Sequence, residues 1–151
     1  MPSFSVNHNA TNTSSATVPM ICAMATATNQ IGIYEINAGS DASADNAVKY
    51  AIFRVSARGT SSASITANAV DQNTTQSALT TWDTTWNINP TITATSQILQ
   101  WAMHQRATYR WVAYDYTKLL KSQAGTGKGM CLESVVVSSA FNGVWSFEYD
   151  E

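Results

Sequence analysis

Charge is the scarcest property of this chain. Asp, Glu, Lys and Arg make up 12% of its 151 residues, about half the roughly 25% usual in globular proteins. Eight basic residues stand against ten acidic ones, for a formal net charge of −2. Arg54, Arg58, Arg106 and Arg110 are scattered singly, so the clustered basic face of a nucleic-acid binder is missing. They read as satisfied surface or interface groups. Cysteine is equally sparse. Cys22 and Cys131 are too few for a disulfide framework and have no zinc-like spacing. They read as two small buried hydrophobes, with a single bridge between N-terminal and C-terminal strands as the alternative. Long apolar runs are also wanting. The mildly apolar stretch 17–28 has no basic segment before it and no continuous hydrophobic centre, which argues against a signal peptide or a membrane span.

Thr, Ser, Asn and Ala fill the place of charge, without forming a low-complexity tract. Small hydroxyls and amides suit strands and loops and disfavour helix. Uncharged polar groups are also easier to desolvate than ions, which suits a surface packed against other protein. A plain extracellular β-domain shares the same habit. Core material is plentiful: 44% of residues are hydrophobic, with five Trp and six Tyr. A chain of this length makes one domain and buries roughly two thirds of its unfolded surface.

The C-terminal run sets the fold class. Trp145, Phe147 and Tyr149 alternate with Ser146, Glu148 and Asp150, so a strand there has one apolar and one polar face. Residues 48–57 carry apolar side chains at both parities, as a central strand covered on both sides would. Further short strands are expected at 20–28, 31–36, 63–70, 88–95, 97–103 and 130–138. Two hairpins are expected, one joining 98–104 to 109–116 and one turning at Asn142-Gly143. Leu79, Trp82 and Trp86 are spaced 3 and 4 apart, which allows one short helix over 76–86. The whole reads as an all-β antiparallel sandwich, jelly-roll-like, with at most one short helix. Residues 17–151 form the sandwich, and the polar segment 1–16 is an extended or flexible arm anchored by Phe4 and Val6.

No motif carries catalysis. Gly125-Thr126-Gly127-Lys128-Gly129 has Ser122 where a phosphate-binding loop needs glycine, and it enters a strand. It reads as a glycine turn. His8 and His104 have no carboxylate or nucleophile at a sensible local spacing. Glu148, Asp150 and Glu151 read as an acidic edge, without calcium-loop spacing. Exposed tryptophans could stack sugars, although the alternation places most of them in the core. The chain is therefore expected to be non-enzymatic, with no cofactor and no metal.

Several stretches together carry a likeness. They are Ile33-Tyr34-Glu35-Ile36, the strand from Tyr50 to Gly59, Asn89-Pro90-Thr91 after a Thr/Ala-rich middle, the small-residue strand from Val135, and the aromatic terminus. In layout the chain resembles the small all-β virion proteins of tailed bacteriophages, capsid decoration or cement proteins in particular. That resemblance implies an oligomer, most often a trimer, assembled in the host cytoplasm and seated on the outer capsid surface. Its partners would be the major capsid protein and copies of itself, with no direct nucleic acid and no membrane. Phe4, Val6, Trp82 and Trp86 are the candidate interface residues, and loss of residues 1–16 is expected to weaken lattice binding while sparing the fold. Alternatives are a sugar-binding β-sandwich head of a fibre or adhesin, a head–tail connector and a tail protein.

Overall fold

Alternation, short side chains and β-branched residues give twelve strands among the described residues. The computed structural model describes residues 2–12, 19–41, 47–104, 106–137 and 141–151. The strands are β1 (Ser3–Asn12), β2 (Pro19–Met24), β3 (Gly32–Ser40), β4 (Ala47–Ala57), β5 (Thr60–Ile65), β6 (Asn68–Ala69), β7 (Thr81–Ile88), β8 (Thr91–His104), β9 (Tyr109–Val112), β10 (Leu120–Lys121), β11 (Gly129–Val137) and β12 (Phe141–Asp150). They form two antiparallel sheets. Sheet A runs β10-β3-β12-β1-β6, with β9 also paired to β3; sheet B runs β5-β7-β2-β11-β4-β8.

Without β5, β6, β7 and β10, the order is β1-β12-β3-β9 facing β2-β11-β4-β8. The chain changes sheet at almost every connection. That is the jelly-roll arrangement of two interlocked Greek keys, here with an insertion that widens sheet B at β7 and β5. No paired strands among the described residues are consecutive in sequence.

This topology corrects both expected hairpins. β8 lies on β4 in sheet B and β9 lies on β3 in sheet A, so the segment between them crosses from sheet to sheet. Trp101 and Tyr109 stack across that end, ring centroids 4.7 Å apart. Asn142 and Gly143 are no turn either: they sit inside β12, opposite Thr11 and Ala10. Gly143 is needed for a different reason, because a Cβ there would fall within the Trp145 indole. A turn signal reports a backbone preference, and a close side-chain approach can demand the same residue.

The inner faces supply one large core. Phe4 and Val6 of β1, Ile33 and Ile36 of β3, and Trp145, Phe147 and Tyr149 of β12 meet Ile21, Tyr50, Ile52, Trp82, Trp101 and Leu132 from sheet B. Aromatic edges and faces lock it: Trp82 packs on Phe147 at 5.0 Å and Tyr149 at 5.3 Å, and Tyr50 meets Trp145 edge-on at 5.8 Å. β4 is buried on both faces, as its composition suggested. Val48, Tyr50 and Ile52 enter this core, while Val55 joins a smaller one of Cys22, Met24 and Cys131 on the opposite face, partly covered by Trp86 and Ile92.

Two further expectations are overturned. The segment expected to be helical at 76–86 leads into strand β7, which takes up its second half, and no α-helix occurs among the described residues. Its Thr-rich sequence favours strand, and Trp82 is held by tertiary packing that outweighs a chance 3–4 spacing. The only helical turn described is a 3-10 turn at Tyr116–Lys118. The two cysteines are not free. Cys22 and Cys131 stand opposite each other in the β2–β11 ladder and form a disulfide, Cα atoms 4.0 Å apart.

Candidate interaction surface

Three of the four residues expected at an interface lie in the core. Phe4, Val6 and Trp82 are each only 1% exposed, inside the main core. Trp86 is half-buried over the disulfide cluster. The extended or flexible arm expected over 1–16 is, from Ser3 to Asn12, an extended strand paired along its whole length with β12. Phe4 and Val6 share a face, as their spacing required, but that face looks into the sandwich. A polar segment too poor in apolar groups to fold alone gains its order from a neighbouring strand. Residues 13–16 lie outside the described residues.

Sheet A turns its other side outward. Ser5, Asn7, Asn9 and Thr11 come from β1, Val144 and Ser146 from β12, Glu35 and Asn37 from β3, and Arg110 and Val112 from β9. Charge on it is largely paired. Arg110 grips Glu35 with two bonds, Nε to Oε1 at 2.8 Å and Nη2 to Oε2 at 2.9 Å, and Asn37 Nδ2 donates to the same carboxylate at 2.8 Å. The guanidinium bond, followed by the Asn37 bond, holds the Glu35 carboxyl below its ordinary range. Burial pushes the neighbouring Tyr34 hydroxyl up to about 12, with Glu148 as its hydrogen-bond partner.

Two shallow depressions meet at Val144. One, about 390 Å³, is lined by Asn37, Gly39, Thr108, Arg110, Val144 and Ser146. The other, about 270 Å³, is lined by Asn9, Thr11, Asp41, Asn142 and Val144. The lining of the first is mostly apolar, and that of the second is mostly polar. At the β9 end this face continues into a ridge that the sequence reading did not single out: Val112, Tyr114 and Tyr116 are exposed, Tyr114 to 80%. Val112 shares the strand parity of Arg110, whereas Tyr114 and Tyr116 follow the end of β9, Tyr116 in the 3-10 turn.

The groups tested for chemistry are used structurally. His8 lies over the Trp145 ring at 6.1 Å, and its Nε2 has no hydrogen-bond partner among the described residues. The acidic terminus is a set of clasps. Asp150 accepts from Ser3 Oγ at 2.6 Å, and the Glu151 carboxylate accepts from Leu79 N, Thr80 N, Thr80 Oγ1 and Asn29 Nδ2. In the glycine-rich loop Gly125 and Gly127 have φ of 140° and 79°, the left-handed region a turn assigns to glycine. Lys128 Nζ donates to Ser56 O at 2.9 Å. Arg58 is paired with the fully buried Asp83, both bonds at 2.8 Å.

No protein-family model matches the chain, and neither does any curated protein or any solved structure.

Proposed function

We propose that the chain is a structural, non-enzymatic virion protein, a capsid decoration protein on the outer surface of a tailed-phage head. Its partners are the major capsid protein lattice and further copies of itself. The observation that carries this reading is the outer face of sheet A, a surface of amides, hydroxyls and isolated valines on a jelly roll, whose few charges (Glu35, Arg110, Glu148 and Asp150) are bonded to neighbouring groups. Such a face loses little on desolvation and fits repeated weak contacts whose strength comes from multiplicity. The jelly roll is itself an architecture shared by viral shell and lectin domains.

The buried positions of Phe4, Val6 and Trp82 change how the protein would adhere. Contact with the shell falls to the sheet A face around Val144 and to the Val112–Tyr114–Tyr116 ridge. The test is to fractionate particles from cells expressing this chain on a density gradient and probe intact heads with antibody against it. Co-sedimentation with heads and labelling of their outer surface is expected. Its absence from purified heads overturns the proposal.

A second reading rests on the two depressions at Val144, where amides and hydroxyls stand beside apolar surface, a mixture that suits a neutral sugar. It expects glycan binding that Asn37→Ala weakens.

A further inference from the structure

Each sheet has two edges among the described strands, and three of the four are irregular over part of their length or made by the short strands β9 and β10. β8 shifts register against β4 at three points, and β5 does so against β7 at three. The far side of β3 is covered by β9 and β10. The remaining edge, β1, is regular: it pairs with β12 in unbroken register from Ser3 to Asn12. On its other side β6 meets it only at Phe4 and Ser5, with Val70 N donating to Ser3 O at 2.9 Å. No other strand among the described residues pairs with that side.

The direction of the free backbone groups follows from that last bond. In an antiparallel strand the N–H and C=O of one residue point to the same side, and the side alternates along the chain. The Ser3 carbonyl points away from β12, so the groups of Asn7, Asn9 and Thr11 do as well. All three residues are exposed. Between residues 6 and 12 there is no charged residue, no proline and no glycine, and no bulge. Those are the devices by which natural sheets keep an open edge from pairing.

We propose that this edge joins two copies of the chain, β1 lying antiparallel to β1 of a second molecule about a twofold axis at Asn9. The segment is its own complement in that arrangement. Asn9 faces Asn9, and Asn7 faces Thr11 on each side, so uncharged hydrogen-bonding side chains meet and no like charges oppose. The backbone groups of Asn7, Asn9 and Thr11 exchange about six hydrogen bonds across the axis, and sheet A continues from one molecule into the next. A twofold contact needs only one patch on each copy, and edge addition uses main-chain bonds already aligned. The pairing does not rest on the virion reading, though it specifies one self-contact within it.

The test is sedimentation equilibrium of the intact chain over a micromolar-to-millimolar series, alongside Asn9→Lys and Asn9→Pro. Lysine places two ammonium groups on the axis. Proline removes an outward N–H that the β1–β12 ladder does not use. The wild-type chain is expected to dimerise, with slowed amide exchange at Asn7, Asn9 and Thr11. Asn9→Lys should raise the dissociation constant at least about tenfold with an unchanged circular dichroism spectrum. If Asn9→Pro fails to fold, Asn9→Lys carries the test alone. A monomer throughout the series, or an oligomer that Asn9→Lys leaves intact, overturns the proposal. A trimer unaffected by Asn9→Lys would do so while leaving the decoration reading standing.

Discussion

His8 gives the molecule a pH response that can be assigned to one ring. Desolvation lowers its pKa below 6.5, because the imidazole lies against Trp145 and its Nε2 has no partner to share a proton with. The unfolded chain therefore takes up the proton more readily than the folded one. Stability from this site is complete above pH 6.5 and falls as pH drops through the folded-state value, then levels off. Urea midpoints measured between about pH 7.5 and 5 should decline with acid. His8→Phe, which keeps a ring over Trp145, should flatten that decline; an undiminished slope would exclude His8 as its source. Glu151 is a second residue with a defined duty. Its carboxylate holds the backbone N–H groups of Leu79 and Thr80 where the chain enters β7. Glu151→Ala should cost about 2 kcal/mol and speed amide exchange at those two residues without altering the rest of the sheet.

Among the elements, β1 departs most from what its composition suggests. Its polar sequence reads as an arm, yet Phe4 and Val6 fill the core against Tyr149 and Phe147, their direct partners across the ladder. Removing residues 2–12 would strip β12 of one whole side and leave a cavity where two large side chains had been. Cavities of that kind cost about 2–5 kcal/mol for each large side chain lost, against a total stability of about 5–15 kcal/mol. The truncated chain is therefore expected to be unfolded by circular dichroism, where a free arm would leave the fold intact. β7 makes a related point. A spacing of 3 and 4 between Leu79, Trp82 and Trp86 imitates a helix, but Leu79 is exposed and precedes the strand, while Trp82 and Trp86 pack in different clusters.

For the whole molecule the disulfide is the strongest single tie across sequence. Cys22 and Cys131 are 109 residues apart and link β2 to β11 at the centre of sheet B. Closing a loop of that length restricts the unfolded chain by up to about 4–5 kcal/mol in the chain-entropy account. Thermal unfolding with and without reductant should show a large drop in midpoint on reduction, and Cys22→Ala/Cys131→Ala should reproduce it with reductant absent. A midpoint unmoved by both would show that packing alone holds β2 to β11. The same scale decides the surface. Because most of the large aromatics go inward, the outer face of sheet A is left mainly to Asn, Ser, Thr and Val with a few bonded charges, which is why the proposed shell contact is polar and spread out.

Side-chain alternation follows from backbone geometry alone, so the inward set of β12 and the double burial of β4 were legible from residue order. So was the sandwich, because short strands with apolar faces and few helix formers have little else to do. Pairing was not legible. Each strand's partner is remote in sequence, and no local pattern says whether a turn returns the chain to the same sheet or carries it across the core. The Asn142-Gly143 dipeptide, the crossing between β8 and β9, the bridge at Cys22 and Cys131, and the fate of Phe4 and Val6 all depended on that choice. The interaction surface depended on it too, since an outward face becomes a surface only when its neighbours are known. Local chemistry decided which side of each strand is apolar; the mutual fit of two sheets around one aromatic core decided everything that strand meets.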